Sequence, residues 1–348
     1  MDISKIDKNF LVESKLLSKK DIAIYNARFE PFTVYGVFYK NDKFRRMPED
    51  IAKSVSEGVH WLHSNTAGGR VKFKTDSKYV AIYTKMSHVG KMPHFALTGS
   101  SGFDLYVNEK YYASFVPPFD LNDKYDGVIE FSSKRMREIT INFPLYSDVN
   151  ELYIGLSDSA TVEKADKYRV EKPIVYYGSS ITQGGCASRP GNAYEAIVTQ
   201  KLGINHINLG FSGNARAEKE MSDYICSLDM SAFVYDYDHN APTTQHLENT
   251  HERMFKEIRA AKPDLPIIMM SRPKYNLTKD EKIRCEIIKR TYENAKNNGD
   301  NNVYFIDGKT LMKICHDEGT VDSCHPNDLG FYSMAMAVIK VLKNEVKL

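Results

Sequence analysis

The first half of the chain contains short apolar runs that are rich in Val, Tyr and Phe and are separated by turn residues. Several runs alternate polar and apolar positions with period two, which is typical of strands with one buried face. They lie at 32–39, 70–75, 79–84, 102–107, 111–116, 127–131, 137–143 and 151–156. A helical pattern is confined to about 48–59, and the charged segment 1–20 predicts a short helix or docked arm. The pattern predicts a β-sandwich, jelly-roll-like, over residues 1–165.

The rhythm changes near Tyr168, where strand-like runs begin to alternate with amphipathic helical stretches. Predicted strands cover 174–177, 204–209, 232–237, 266–270 and 303–306. Predicted helices cover 192–202, 215–227, 244–261, 279–297 and 329–345. Strands that alternate with helices in this way indicate a parallel sheet with crossover helices. We therefore expect an α/β domain over residues 166–348.

The first strand of the α/β half ends abruptly in small and hydroxyl residues. Residues 174–177 are β-branched or aromatic, as in a parallel strand covered on both faces, and Gly178 permits a sharp turn. Ser179 and Ser180 follow at the carboxyl end of the strand, where open α/β sheets bind ligands. A hydroxyl there is a candidate nucleophile, although a serine after a strand is more commonly a helix N-cap.

A candidate base for this serine lies near the other end of the chain, where Asp322 and His325 are three residues apart. On a loop before a helix, this spacing lets the carboxylate accept from one ring nitrogen while the other nitrogen faces the serine. Between Ser180 and Asp322, residues 208–214 and 235–240 each follow a strand-like run and are candidates for oxyanion donors. The predicted order along the chain is Ser, Asp, His.

These segments resemble the four signature blocks of the SGNH (GDSL-like) hydrolases, in the same order. Residues 178–184 are similar to the Gly-Asp-Ser-Ile-Thr-x-Gly block, with Ser179 in place of the usual aspartate. Gly213 matches the second block. Asn240 matches the third, although its surroundings read Asp-His-Asn-Ala instead of Gly-x-Asn-Asp, and residues 322–325 match the Asp-x-x-His block. The resemblance covers roughly the α/β half and rests on ordered, spaced motifs.

The resemblance implies a flavodoxin-like doubly wound sheet and an acyl-transfer mechanism. Ser180 is then the nucleophile, His325 the general base, and Asp322 the residue that holds His325. The oxyanion donors that the resemblance implies are the amides of Ser180 and Gly213 and the side chain of Asn240. No cofactor is expected, and no spacing of His, Cys or acidic residues suggests a metal site.

The substrate expectation also comes from resemblance. A β-sandwich ahead of an SGNH domain resembles bacterial carbohydrate esterases, which implies a serine esterase that removes acetyl groups from carbohydrates. Three alternatives stay open: an acyltransferase with the same triad, a flavodoxin-type loop at 179–184 that binds FMN phosphate, and a catalytically silent carbohydrate-binding protein. The expected partner is a small-molecule or oligosaccharide ester, and whether the chain forms a homo-oligomer stays open.

Four further residues are candidates for substrate contact. Arg189 follows the nucleophile loop and can bind a substrate hydroxyl or carboxylate, or equally anchor the loop through a salt bridge. Tyr237 and Arg272 are candidates only because they follow predicted strands. Trp61 can reach the pocket from the sandwich, although a lone tryptophan more often packs in a core or an interface. Cys186 and Cys324 flank the predicted site, where packing is a simpler role for them than redox or metal chemistry.

Charge and composition narrow the list of partners. The chain has 348 residues, with 47 Lys and Arg against 45 Asp and Glu, a formal net charge of +2. Because no basic block accompanies this balance, nothing favours nucleic acid or an anionic membrane as partner. The N-terminus lacks the continuous apolar stretch of a signal peptide, and five cysteines, an odd number, favour a reduced compartment. We therefore expect a cytoplasmic protein.

Overall fold

The computed structural model describes residues 19–348. The helix or docked arm predicted for 1–20 falls almost wholly outside these residues. Among the described helices, none combines the length and the apolar character that crossing a membrane requires.

The first half is built of antiparallel strands. Its strands are β1 Ile22–Asn26, β2 Thr33–Tyr35, β3 Phe38–Lys40, β4 Lys43–Arg45, β5 Arg70–Thr75, β6 Tyr79–Lys85, β7 Phe103–Val107, β8 Lys110–Phe115, β9 Lys124–Glu130, β10 Arg137–Asn142, β11 Glu151–Ser157 and β12 Val162–Glu163. One sheet has the order β1-β11-β6-β9, and the other has the order β12-β5-β10-β7-β8 with β2 beside β5. Strands β3 and β4 form a separate hairpin.

The two larger sheets enclose one apolar core. Phe73, Phe103 and Ile141 from one sheet and Ile82 and Ile154 from the other are fully buried in the same cluster. Period-two alternation turns these side chains inward, so the sandwich expected from the sequence is confirmed. Its jelly-roll character stays a prediction.

The apolar run at 32–39 forms two strands instead of the single one predicted. Gly36 between them has a φ of +74°, in the left-handed region. A Cβ on this residue would lie 2.1 Å from the carbonyl oxygen of Gly68, so the backbone turns where only glycine fits.

The helical segment of the first half packs against the second half. It consists of α1 Glu49–Val55 and α2 Glu57–Leu62, which are separated at the extended Ser56, whose hydroxyl accepts from the amide of Val59. Ala52 and Val59 belong to the apolar cluster that covers one face of the parallel sheet. A third helix, α3 Leu97–Ser100, precedes β7.

The second half is a parallel sheet with the order β14-β13-β15-β16-β17 and helices between the strands. The strands are β13 Val170–Gly178, β14 Ile204–Gly210, β15 Ala232–Asp236, β16 Ile267–Met270 and β17 Val303–Ile306. The helices are α4 Ser180–Gln183, α5 Tyr194–Leu202, α6 Lys219–Ser227, α7 Thr244–Ala261, α8 Lys279–Asn297, α9 Gly308–Leu311 and α10 Asp328–Val341. Apolar clusters cover both faces, which confirms the doubly wound, flavodoxin-like α/β fold. The change from antiparallel to parallel pairing falls between β12 and β13, and the boundary at residue 165 stays a prediction.

Candidate active site

The nucleophile candidate lies on a tight turn between β13 and α4. A Cβ on Gly178 would lie 2.4 Å from the carbonyl oxygen of Asp236, so this position requires glycine. Ser179 is the N-cap of α4, and its hydroxyl accepts from the amide of Ile181 at 3.2 Å. The residue that replaces the family aspartate therefore still caps the helix, and Ser180 is its first residue.

Ser180 and His325 are in direct contact. The Oγ of Ser180 lies 2.9 Å from the Nε2 of His325. His325 lies just before α10. This helix is capped by Asn327, whose Oδ1 accepts hydrogen bonds from the amides of Leu329 and Gly330. The cap fixes where α10 begins, and thus holds the loop that contains His325 against the turn that contains Ser180.

Asp322 completes a relay of three side chains. Its Oδ2 lies 2.8 Å from the Nδ1 of His325, and its Oδ1 accepts from the amides of His325 and Cys324 at 2.7 and 3.1 Å. Partial burial opposes ionisation of the carboxyl, but the hydrogen bonds from the His325 amide and ring prevail and lower the pKa of Asp322 to about 2. An ionised Asp322 favours a proton on Nδ1, which leaves the Nε2 lone pair directed at Ser180.

The oxyanion candidates follow β14 and β15, the two neighbours of β13. Gly213 has a φ of +70° and no atom near the position of a Cβ. The loop before it is fixed to the nucleophile helix, because the Oε1 of Gln183 accepts from the amide of Ser212 at 3.0 Å. The Oδ1 of Asn240 accepts from the amide of Ala215 at 3.2 Å, which frees its Nδ2 to donate elsewhere. The oxyanion roles stay predictions.

A buried arginine of the first half supports this loop, and no motif or periodic pattern indicated it. The Nη1 of Arg46 donates to the carbonyl oxygen of Gly210 at 2.6 Å and to the Oδ1 of Asn208 at 3.3 Å. Its Nη2 and Nε donate to the carbonyl oxygens of Leu62 and Asn65, both at 2.7 Å. Burial lowers the pKa of Arg46 to about 10, so the guanidinium keeps its charge at neutral pH.

Two other residues of the first half contact the nucleophile helix. The hydroxyl of Tyr146 donates to the carbonyl oxygen of Ser180 at 3.1 Å. The Oδ1 of Asn65 accepts from the Nε2 of Gln183 at 3.1 Å. Ser180 and the loop after β14 are thus both held by the sandwich half.

Arg189 is a loop anchor and does not contact the cleft described below. Its Nη1 donates to the Oδ2 of Asp104 at 3.1 Å and to the hydroxyl of Tyr106, and its guanidinium lies 3.9 Å from the ring centre of Tyr111. Asp104 is fully buried and also accepts from the amide of Gly191 at 2.8 Å. Of the two roles considered for Arg189, these contacts match the salt-bridged anchor, and substrate contact stays a prediction.

The loop that contains Arg189 also contacts α10, the helix that follows His325. The amide of Ser188 donates to the Oδ1 of Asp328, in the first turn of α10, at 2.8 Å. Strand β7 of the sandwich, the loop after α4 and the start of α10 therefore form one connected hydrogen-bonded network around the triad.

Tyr237 and Arg272 do not line the cleft either. The Tyr237 side chain is 1% exposed, and its hydroxyl lies 2.8 Å from the Oγ1 of Thr250. Arg272 forms ion pairs with Asp238 and Glu281 at 2.9 and 3.0 Å. Position after a strand indicates the correct edge of the sheet, but not the direction of a side chain, and substrate contact by either residue stays a prediction.

A cleft of about 740 Å³ lies where the two halves meet. Ser212 and Asn214, which flank Gly213, line it on the α/β side, and Tyr146 lines it from the sandwich half. On the sandwich side, Trp61 is 65% exposed and its ring lies 5.5 Å from that of His88. Trp61 thus lies at the cleft and not in a core, and its contact with substrate stays a prediction.

The charges in the cleft nearly cancel. Two basic residues and three acidic residues line it. Lys43 is paired with Asp148 at 3.0 Å, and Arg45 with Glu49 at 3.2 Å. A cleft with paired charges and an exposed aromatic ring suits a neutral, polyhydroxylated ligand better than an anion.

The loop at 179–184 is not a phosphate cradle. The amides of Ile181, Gln183 and Gly184 all donate within the turn, to Ser179 or Ile181. Phosphate binding at such a loop requires several free amides that point at the ligand. The FMN alternative therefore has no support from the geometry.

Two families match the chain. Residues 171–343 match the GDSL-like Lipase/Acylhydrolase family, and residues 22–162 match the family described as GxDLY, the N-terminus of Esterase_SGNH_hydro-type. The letters of the second name correspond to residues 102–106, Gly-Phe-Asp-Leu-Tyr, which include the anchor residues Asp104 and Tyr106. No curated protein matches the chain.

Several solved structures share both halves. A protein of Bacteroides ovatus described as a GDSL-like lipase is 28% identical, with a TM-score of 0.84 over 94% of this chain and 98% of its own. A salicylyl-acyltransferase from a tetracycline biosynthetic pathway is 17% identical, with a TM-score of 0.76 over 94% and 97%. A family two carbohydrate esterase from Clostridium thermocellum, in complex with cellohexaose, is 13% identical, with a TM-score of 0.60 over 93% and 99%. The last two show similarity of fold alone.

Proposed function

The chain belongs to the GDSL-like Lipase/Acylhydrolase family, and from that membership we propose that it is a serine esterase that removes short acyl groups, chiefly acetyl, from carbohydrates. The observation that carries the proposal is the relay from Ser180 through His325 to Asp322, with separations of 2.9 and 2.8 Å. A nucleophile, a base and an orienting carboxylate in this order are the parts that acyl transfer needs.

The reaction begins when the Nε2 of His325 accepts the proton of Ser180 and Oγ attacks the ester carbonyl. The negative charge on the carbonyl oxygen is stabilised by the amides of Ser180 and Gly213 and by the Nδ2 of Asn240. The intermediate collapses as His325 returns the proton to the departing sugar hydroxyl, which leaves an acyl-serine. Water, deprotonated by His325, then releases the carboxylic acid and restores Ser180.

The cleft supports a carbohydrate as the alcohol part of the ester. Its paired charges match a neutral ligand, and the exposed ring of Trp61 offers an apolar face of the kind on which a sugar ring can stack. Because Ser212 and Asn214 line the same cleft, a sugar bound there has its acyl group close to the predicted oxyanion loop. This proximity is the reason to prefer a sugar ester over a simple aliphatic ester.

The test is product analysis on acetylated xylo-, manno- and cello-oligosaccharides by mass spectrometry, with p-nitrophenyl acetate, butyrate and octanoate in parallel. We expect loss of acetyl groups from a sugar, a preference for acetate among the nitrophenyl esters, and no turnover by Ser180→Ala. Sugar binding without turnover in the parent protein would instead support the non-catalytic carbohydrate-binding alternative.

An acyltransferase is the second candidate, because a salicylyl-acyltransferase shares the fold of both halves of this chain. The same acyl-serine would then pass its acyl group to an alcohol instead of water. Addition of a free sugar acceptor to the same assay separates the two activities. A transferred product that grows with acceptor concentration at the expense of free acetate would identify the transferase.

A further inference from the structure

Three possible metal ligands from distant parts of the chain meet beside the triad. His94 comes from the sandwich half, Cys186 from the loop after α4, and His325 from the loop before α10. One ligand atom of each lies within 4.8 Å of the other two. Sequence spacing could not indicate this cluster, because none of the three is close to another along the chain.

The two residues outside the triad are available for binding. Cys186 is buried and free, and no hydrogen bond involves its sulfur among the described residues. Its backbone is in the left-handed region, at a φ of +75°. The His94 side chain is 40% exposed, and its Nε2 lies 4.0 Å from the Oδ2 of Asp322. That carboxylate adds negative charge next to the cluster.

We propose that His94, Cys186 and His325 form a site for a thiophilic divalent cation, with Zn²⁺ as the preferred ion, and that its occupancy switches the active site off. One thiolate and two imidazoles are a donor set typical of Zn²⁺, and a water molecule would be the fourth ligand. Tetrahedral coordination requires donor atoms about 3.3 to 3.6 Å apart, so the cluster must contract by about 1 Å. Rotation of the partly exposed His94 side chain can shorten its own distances to the other two donor atoms.

The chemistry of binding explains the inhibition. Burial and the Asp322 carboxylate raise the pKa of the Cys186 thiol to about 12, so the ion itself must displace this proton to solvent. The sulfur and the two imidazole nitrogens then each donate a lone pair to the ion. Because Asp322 holds Nδ1 of His325, the ion would bind through Nε2 and would displace the Ser180 hydroxyl from that nitrogen. The Nε2 lone pair is the one that accepts the proton of Ser180, so a bound metal removes the general base. Removal of the metal by a chelator restores the general base.

The binding half of the proposal is tested without any need for activity. Tag-free Ser180→Ala protein is titrated with Co²⁺, which reports a tetrahedral thiolate site by visible d–d bands and a near-ultraviolet sulfur-to-cobalt charge-transfer band. We expect both signals, loss of the charge-transfer band in the Cys186→Ser background, and affinity weakened by about tenfold or more with His94→Gln. Cys226→Ser is the matched control, since Cys226 lies on α6 and donates to the carbonyl oxygen of Glu257.

The inhibitory half rests on the proposed esterase function. Zn²⁺ should inhibit hydrolysis of p-nitrophenyl acetate by the parent protein reversibly, with recovery on addition of EDTA. The half-inhibitory concentration should rise about tenfold or more in Cys186→Ser and His94→Gln, and stay unchanged in Cys226→Ser. The site is overturned if Zn²⁺ inhibits the parent and the three variants equally, or if the cobalt spectrum lacks the charge-transfer band. An active parent with no cobalt spectrum overturns the site alone, whereas a cobalt spectrum on an inactive parent overturns the esterase proposal alone.

Discussion

The guanidinium of Arg46 donates a hydrogen bond of 2.6 Å to the carbonyl oxygen of Gly210, across the junction between the sandwich and the parallel sheet. Gly210 ends β14, and the loop that follows contains Gly213. The sandwich half thus helps to set the position of a predicted oxyanion donor that belongs to the other half. Tyr146 does the same for the nucleophile, through the carbonyl oxygen of Ser180.

Replacement of Arg46 should therefore impair catalysis more than substrate binding. Arg46→Met leaves buried carbonyl oxygens without donors, each at a cost of about 1–3 kcal/mol, and releases the loop after β14. We expect kcat to fall by about tenfold to a hundredfold with little change in KM. The control is Arg137→Met, because Arg137 is also buried and donates to the carbonyl oxygens of Ser133 and Arg135, both at 2.7 Å, inside the sandwich. Loss of kcat of equal size in both variants would mean that Arg46 acts only on stability.

Asn240 offers a test of the oxyanion donors that separates structure from catalysis. Asn240→Asp keeps the oxygen that accepts from the amide of Ala215 but removes the donating Nδ2. Loss of one such donor costs about 2.7–4 kcal/mol of transition-state stabilisation, so kcat should fall by about 10²–10³. Thermal unfolding should be nearly unchanged in Asn240→Asp, and the measurement is kcat beside the melting temperature. If Asn240→Asp retains the kcat of the parent protein, Asn240 is not an oxyanion donor.

Trp61 should matter for sugar substrates only. Loss of an aromatic contact worth about 0.5–1.5 kcal/mol corresponds to a rise in KM of about two- to tenfold for an acetylated oligosaccharide. Trp61→Ala should leave p-nitrophenyl acetate hydrolysis unchanged, and Trp61→Phe should recover part of the sugar affinity. Phe119→Ala is a suitable control, because Phe119 is 93% exposed and does not line the cleft. An identical effect of Trp61→Ala on both substrates would argue against a sugar-binding role.

The lowered pKa of Asp322 makes a prediction about stability at acid pH. An aspartate ordinarily titrates near about 3.9, whereas the hydrogen bonds from His325 hold the pKa of Asp322 at about 2 in the folded chain. Its contribution to stability is therefore complete above pH of about 4 and is lost as the pH falls through about 2. The free energy of unfolding of the parent protein should exceed that of Asp322→Asn near neutral pH.

Urea unfolding of both proteins between pH 7 and pH 2 measures this difference. The difference between the two proteins should shrink steadily below about pH 4. A difference that stays constant down to pH 2 would show that the Asp322 carboxylate is not stabilised by its contacts.

The sequence predicted the α/β half closely because its signals are local and periodic. The predicted helices 244–261 and 279–297 coincide with α7 and α8, and the predicted strand 303–306 coincides with β17. The run at 32–39 was predicted less well, since the left-handed turn at Gly36 leaves no trace in an apolar pattern. Apolar periodicity reports burial, but it does not report where the backbone reverses.

The candidate site was predicted where its residues belong to motifs. The Ser180 and His325 side chains are in contact although 145 positions separate them, and the blocks had indicated both. Arg46 and Tyr146 escaped notice, because a residue that supports a distant loop has no neighbours in sequence that reveal its partner. Asp104 had a usable signal, as a carboxylate within the apolar run of β7 requires a buried partner.

In the proposed mechanism Ser180 carries the acyl group during turnover. Quenching the reaction of p-nitrophenyl acetate with acid and mapping the protein by peptide mass spectrometry tests this step. We expect an added acetyl group on the peptide that contains Ser180 in the parent protein, and neither that adduct nor turnover in Ser180→Ala. An acetyl group found only on another residue, such as Cys186 or Cys324, or turnover that survives in Ser180→Ala, would contradict this mechanism.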